Sequence, residues 1–472
     1  MDNFQLFKWE SEKVHPVSGL KYTVRLADFP LTGETGETEA TMFSFSYVRA
    51  PRRAGRPVAF AYNGGPGSAS VWLHMGLLGP KLVRFSGYPD VERPAHFELT
   101  DNTEFLLDQC DLVLIDPAGT GWAKPAEKTA AKAHYATAGD ARDFARLIAA
   151  WLKENGREGD PVYLIGESYG TIRNLALADA LDEGINLRGI VHIGTSINVG
   201  ARGAMYVEPN VRRLGANAAA CWYHHHRDAF RREDFVAQAM DFAYGDYARA
   251  LLLGSRLDRA ERESVLDRLA YYTGLDRAFL DSNGLRFGEI DFLLRLVPGE
   301  VVSMYDSRLT YRPEHGESYT SNKMDTAGIV EPDLSQDAFM SCVGTSYEDA
   351  FARYVKAELA APENREMAGD MLSIAKSWDY RSFEKDTLEL PVELMRKRPE
   401  LRMLFVNGCY DLTSTFDFMV WYLSQYDLDD KRIERLVLPS GHASYVGEGM
   451  SDALNRKIRE FICEGGRMSP CI

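Results

Sequence analysis

Pro161-Val162-Tyr163-Leu164-Ile165-Gly166-Glu167-Ser168-Tyr169-Gly170-Thr171 is the stretch whose reading decides the fold. Its first five residues form an apolar run that reads as a buried strand, and Thr171 to Ala180 reads as a helix. Strand, sharp turn and helix in that order put Ser168 at the apex of a G-x-S-x-G turn, the local pattern of a nucleophile elbow. A strand that enters a helix through a one-residue corner forces strained backbone angles, and the small residues two positions either side let the chains pass. The hydroxyl then stands above the sheet edge at a helix N-terminus, whose N–H groups favour developing negative charge.

Outward from the elbow, strands alternate with helices. Pro57 to Tyr62 is a buried-strand run that breaks into Asn63-Gly64-Gly65-Pro66-Gly67-Ser68-Ala69-Ser70, followed by a helix-like run from Val71 to Leu78. The glycines give a ligand close access to backbone N–H groups. No G-K-[ST] ending follows, so a Walker-type phosphate loop is excluded and an oxyanion loop is expected. Asp111 to Ile115 is a further strand, closing in Asp116-Pro117-Ala118-Gly119-Thr120-Gly121. Ala138 to Glu154 has helical spacing at Phe144, Leu147, Ile148, Trp151 and Leu152, and Gly189 to Ile193 is another strand. Upstream, Tyr22–Leu26 and Met42–Val48 alternate as a hairpin or meander. This order predicts an α/β protein with a mainly parallel central sheet flanked by helices.

From 198 to 388 buried strands largely vanish, and charged, tyrosine-rich, helix-leaning segments replace them. The expectation is a core in two parts, 1–197 and 389–472, interrupted by a large, mostly helical cap at 198–388. Tyr223, Tyr271, Tyr272, Tyr305 and Tyr311 are candidate cleft-lining residues in the cap. His224-His225-His226 is read as a polar surface or cleft wall, because adjacent helical side chains diverge and rarely share one metal. The sheet pattern resumes at Leu401 to Val406, ending in Asn407-Gly408-Cys409-Tyr410-Asp411. Arg435 to Leu438 ends in Pro439-Ser440-Gly441-His442.

Composition limits the function classes. The 472 residues are 45% hydrophobic and 26% charged, as in ordinary globular proteins. A net charge of −15 disfavours a nucleic-acid partner, which wants a basic face. No apolar run approaches the ~20 residues of a membrane span. Met1-Asp2-Asn3-Phe4-Gln5 lacks the features of a signal peptide, so a cytoplasmic location is expected. The six cysteines are scattered without a C-x-x-C pair, so free thiols are expected, with a Cys463–Cys471 disulfide left open. No cofactor or metal is called for. The expected partner is a peptide or small acyl substrate. Oligomeric state is open, a homodimer included.

Ser168, Asp411 and His442 each follow a strand, in the chain order of an α/β-hydrolase triad. In that arrangement His442 takes the Ser168 proton and Asp411 holds the imidazole in the right tautomer. The N–H groups of Gly65 and Tyr169 would bind the tetrahedral oxyanion, a contribution of ~3 kcal/mol per donor. Asp116 also follows a strand, but it precedes the serine, the wrong order for this fold.

Asn63-Gly64-Gly65-Pro66-Gly67-Ser68, Gly166-Glu167-Ser168-Tyr169-Gly170, Asp116-Pro117-Ala118-Gly119-Thr120-Gly121, Asp411 and Gly441-His442 together resemble the serine carboxypeptidases, peptidase family S10. Ser68-Ala69-Ser70-Val71-Trp72 and Gly408-Cys409-Tyr410-Asp411-Leu412 look like the bacterial branch. The resemblance implies an α/β-hydrolase fold and release of single residues from peptide C-termini. It also implies that Asn63, with Gly64 beside it, and Glu167 help bind the substrate's terminal carboxylate. That requires one of two facing carboxyls to be protonated. Three positions depart from the family pattern. Ala61 replaces a tryptophan, Leu77 replaces a second glutamate that pairs with the first, and Ser68 replaces a disulfide cysteine. A further cap residue, an arginine being one candidate, is therefore expected to complete the carboxylate site. The competing readings are an esterase, amidase or acyltransferase on the same machinery, and an inactive binding protein. A lyase is a remote fourth.

Overall fold

In the computed structural model, the described residues are 6–33, 36–51, 53–125, 131–197, 209–312, 337–361, 365, 367–369, 371–426 and 428–465. Among them one large sheet contains β1 (Lys8–Val14), β2 (Lys21–Thr32), β3 (Thr38–Arg49), β4 (Val58–Tyr62), β5 (Asp111–Asp116), β6 (Val162–Glu167), β7 (Leu187–Ile193), β8 (Arg402–Gly408) and β9 (Ile433–Leu438). Their order is β1-β2-β3-β5-β4-β6-β7-β8-β9. The first four strands of that order pair antiparallel. From β5 to β9 every pairing is parallel.

The alternation of side chains separates two cores. On β4, Val58, Phe60 and Tyr62 join one core while Ala59 and Ala61 join the other. A strand buried on both faces reads as an unbroken apolar run, which is how β4, β5 and β6 announced themselves. β1 carries no such signal. Its sequence is mostly charged and its residues alternate only between exposed and half-buried, as suits an edge strand.

The main helices are α1 (Thr137–Glu154), α2 (Tyr169–Ala180), α3 (Leu214–Cys221), α4 (Arg232–Phe242), α5 (Arg259–Thr273), α6 (Ala338–Tyr354), α7 (Met371–Ser377), α8 (Leu390–Lys397), α9 (Phe416–Ser424) and α10 (Met450–Gly465). α1, α2, α8 and α9 cover one face of the sheet. The apolar stripe of α1, from Phe144 to Leu152, is buried there as its spacing requires. α6 and α10 cover the other face. An open, mainly parallel sheet between two helical layers, with a serine at a strand-to-helix corner, is the α/β-hydrolase fold.

β7 and β8 are neighbours in the sheet although some two hundred residues separate them in sequence. Within that interval α3, α4 and α5 build a third apolar cluster, which also takes in Cys409, Tyr410 and Leu412 from the loop after β8. α6 behaves differently from the expected cap. Phe351 stacks edge-on against Phe45 at 5.4 Å, and the hydroxyls of Tyr354 and Tyr47 lie 2.9 Å apart. This helix therefore belongs to the sheet's own packing layer. The expected boundary at 198 and the residue Cys471 lie outside the described residues. Cys110, Cys221, Cys342 and Cys409 are free thiols. Among the described residues no helix is long and apolar enough to cross a membrane.

Candidate active site

β6 ends on Glu167 and α2 begins on Tyr169, leaving Ser168 alone at the corner with φ 58° and ψ −123°. A non-glycine residue there lies outside the relaxed regions and costs about 1–3 kcal/mol. The corner is held from both sides. Ser168 N–H donates to Ile193 O at 2.9 Å. Ser168 O accepts from Thr171 N–H and from Thr171 Oγ1, each at 2.8 Å. Ser168 is half-buried between two buried neighbours.

The glycine loop after β4 lies directly on the elbow. A Cβ at Gly64 would overlap the Tyr169 amide nitrogen and sit 2.6 Å from Glu167 O. The close approach therefore needs glycine. It also brings the amides of Gly65 and Tyr169 into one region, and neither donates to an acceptor among the described residues. A buried arginine fixes this loop from below. Arg173 of α2 bonds Asn63 O at 2.5 Å and pairs with Asp140 at 2.6 and 3.2 Å. Its guanidinium packs over the rings of Tyr62, Phe144 and Tyr169.

Asp411 and His442 meet at the ends of β8 and β9. His442 Nδ1–H donates to Asp411 Oδ2 at 2.8 Å. The other oxygen, Oδ1, accepts from Thr413 N–H, Thr413 Oγ1 and Ser414 N–H at 2.7–3.0 Å, so the fully buried carboxylate is satisfied. Burial opposes the charged imidazole. The attraction and hydrogen bond of Asp411, with Glu167 behind them, outweigh it and raise the His442 pKa. Ser168 Oγ makes no hydrogen bond among the described residues. The backbone nonetheless relates the two groups, because Gly194, next to the Ile193 that binds Ser168, lies under the imidazole. A Cβ there would be 3.1 Å from His442 Cε1. Nucleophile–base contacts are often long in unliganded sites and tighten with substrate. An imidazole held in this way can accept a hydroxyl proton.

One segment of the insertion clamps both loops. Ser307 N–H bonds Tyr410 O at 2.9 Å, Leu412 N–H bonds Met304 O at 3.0 Å, and His442 N–H bonds Tyr305 O at 2.6 Å. The Tyr305 ring lies 5.6 Å from the imidazole. The segment is locked by Asp306, fully buried, which receives Arg308 through both oxygens at 2.8 and 2.6 Å and Tyr88 Oη–H at 2.8 Å.

Glu167 is buried one residue ahead of Ser168. Asn63 Nδ2 donates to its Oε2, and Tyr445 Oη–H reaches Oε1 and Oε2 at 3.2 and 3.1 Å. Burial dominates and pushes its pKa up to about 7, against lowering contributions from His442, Tyr445 and Asn63. Among the described residues no arginine bonds this carboxyl. Leu77 is fully buried in the apolar core and contributes only its carbonyl to polar contacts, accepting from Asn102 and Asn455. Ala61 is likewise core.

The remaining candidates separate cleanly. Asp116 has its carboxylate committed to Ser70 N–H, Ser70 Oγ and Trp122 N–H at 2.6–3.0 Å, so it secures the glycine loop. Of the five cap tyrosines, Tyr305 is the one that touches His442. Tyr272 is buried in the third cluster and Tyr271 is largely exposed. The three adjacent histidines diverge: His224 meets Ser307 O, His225 meets Leu296 O, and the His226 ring packs on Phe235 and Tyr271. A cavity of about 490 Å³ is lined by Tyr445 but by neither Ser168 nor His442.

Sequence reading missed Tyr445, Arg173 and the Asp306–Arg308 lock. Tyr445 follows His442 by three residues in a Ser-Gly-His-Ala-Ser-Tyr turn, the one local signal that would have found it.

Residues 32–198 match the family described as serine carboxypeptidase. No curated protein matches in sequence. Solved structures with a similar course include the peroxisomal alpha-beta-hydrolase Lpx1 from Saccharomyces cerevisiae, at 9% identity and TM-score 0.41, covering 100% of this chain and 93% of that one. A thermostable carboxyl esterase from Bacillus coagulans follows at 13% identity and TM-score 0.38, covering 93% and 98%. Sheet order and the strand-to-helix corner at Ser168 give the protein an α/β-hydrolase fold, and the family match supports a serine hydrolase. The matched segment carries both the glycine loop and the elbow.

Proposed function

We propose that the protein is a serine carboxypeptidase that releases C-terminal residues from peptides through an acyl-enzyme. Ser168 Oγ attacks the last peptide carbonyl as His442 Nε2 takes its proton. The Gly65 and Tyr169 N–H groups receive the oxyanion. His442 then protonates the departing amine, the C–N bond breaks, and water, deprotonated by the same imidazole, hydrolyses the ester. Asp411 keeps the imidazole in the required tautomer and stabilises it when charged.

The observation that carries the exopeptidase reading is Glu167, buried against Asn63 immediately before Ser168, with a pKa near neutrality. A protonated carboxyl there can share its proton with a substrate carboxylate, which two ionised groups could not do. A broader reading, an esterase, amidase or acyltransferase, draws on Leu77, which leaves Glu167 without a second acidic partner at the position the family uses, and on Ala61, which stands where the family has a tryptophan.

Labelling with a fluorophosphonate and mapping the adduct tests the nucleophile, and N-blocked dipeptides beside their C-terminal amides and p-nitrophenyl esters test the substrate. Adduct on Ser168 with release of free C-terminal amino acids is expected. No label on Ser168 removes every enzymatic reading. Ester cleavage without amino-acid release replaces the peptidase by the esterase.

A further inference from the structure

The turn that carries His442 also carries Tyr445, and the two side chains leave it in different directions. His442 goes to Asp411, and Tyr445 goes to Glu167. The turn is tightly made. Val446 N–H bonds Ala443 O at 2.9 Å, and Ser440 Oγ donates to Val446 O at 2.7 Å. The Tyr445 ring is buried, stands edge-on to Tyr347 at 6.4 Å, and lies flush on Gly76. A Cβ at Gly76 would overlap that ring. Gly76 thus opens the space, and Leu77 beside it turns into the apolar core. The phenol enters where a side chain from this turn of the 71–78 helix does not.

We propose that Tyr445 is the positioning residue that fits Glu167 to a substrate carboxylate, in the role that the sequence leaves vacant at Leu77. This deepens the proposed carboxypeptidase reading and rests on it. The argument is one of hydrogen-bond capacity. A carboxyl that must hand a proton to a substrate needs its other contacts to be donors that tolerate both its charge states. Asn63 Nδ2 is one such donor, and the Tyr445 phenol is the other. A second carboxyl in this place would compete for the single shared proton. A phenol, titrating far above neutrality in this buried setting, never does. It also fixes the carboxyl plane, since it lies nearly equidistant from both oxygens. Because Tyr445 and His442 belong to one turn, substrate recognition and the proton-accepting imidazole are set by the same piece of backbone.

Tyr445→Phe tests this, since the ring packing on Gly76 and Tyr347 is retained. The readout is kcat/KM for an N-blocked dipeptide free acid divided by that for its C-terminal amide. The expected result is a fall of about tenfold in this preference at mildly acid pH, carried by KM of the acid rather than by kcat. The pH at which the preference is lost should also move upward, because the phenol is a donor that favours the ionised form of Glu167. An unchanged preference, or a loss that falls equally on acid and amide, overturns the assignment and leaves Tyr445 a packing residue. Failure of the underlying reading looks different: the unmodified protein itself then shows no preference for the free acid.

Discussion

Glu167→Gln is the perturbation that interrogates the site most directly. Under the proposed function a peptide's terminal carboxylate, ionised throughout the neutral range, is held only when Glu167 carries a proton. A carboxyl titrating at about 7 is about nine-tenths protonated at pH 6 and about one-tenth at pH 8, so productive recognition falls about tenfold across that interval. The His442 pKa is raised and Glu167 contributes to that rise, so the raw rate profile reports the pair. The acid-to-amide ratio of kcat/KM removes the His442 contribution, because both substrates need the same imidazole. That ratio should drop about tenfold from pH 6 to pH 8 in the unmodified protein and become flat in Glu167→Gln. The same shift acts on folding. Glu167 binds its proton more tightly folded than unfolded, so its favourable contribution is complete below about pH 4.5 and is lost as pH rises through about 7. The span is on the order of 3 kcal/mol, and Glu167→Gln should remove that part of the pH dependence in urea denaturation. A flat ratio in the unmodified protein, or a sloping one that survives the substitution, would refute the reasoning.

Two further substitutions address the rest of the site. Asp411→Asn should lower kcat about 10⁴-fold with a small effect on KM, since it misdirects the imidazole tautomer while Thr413 and Ser414 still hold the side chain; steady-state kinetics with a p-nitrophenyl ester would detect a milder loss and so remove Asp411 from its role. Arg173→Met should cost about 3–5 kcal/mol in chemical denaturation, because Asp140 is left buried without its partner and the Asn63 carbonyl loses its donor; a change below 1 kcal/mol by that assay would mean the pair is dispensable.

The parts of the site that could be read from the chain are those in which a few consecutive residues must satisfy one steric demand. The elbow needs small residues around Ser168, the glycine loop needs Gly64 against Tyr169, and both leave marks within a few positions. Asp411 is legible because it closely follows the apolar run Met403 to Val406 of β8, and His442 because it follows the shorter run Leu436 to Leu438 of β9. Glu167's partner was not legible, because Tyr445 reaches it across 278 positions of chain. Arg173 looked like an ordinary helix residue, and its burial depends on Asp140 from another helix. α6 was read as cap because it lies in a tyrosine-rich, charged stretch, yet the Tyr354 hydroxyl is satisfied inside the core and the Tyr347 ring packs edge-on against Phe85 there. Tertiary partners decide such residues, and composition carries no record of them.

The clamp over the Asp411 and His442 loops is made of main-chain amides and carbonyls: Ser307 to Tyr410, Leu412 to Met304, His442 to Tyr305. Every amino acid except proline brings the same donor and acceptor, so these bonds place almost no demand on the identity of the residues that make them. The inserted segment is therefore free to exchange its side chains over evolutionary time, remodelling what the protein admits while the geometry beneath it stays registered. The loop beneath it has one strict requirement, Gly441, where any side chain would strike the Tyr305 carbonyl and Asp306. A library that randomises the insertion but spares the Asp306–Arg308 lock would be drawing on a tolerance the backbone already supplies.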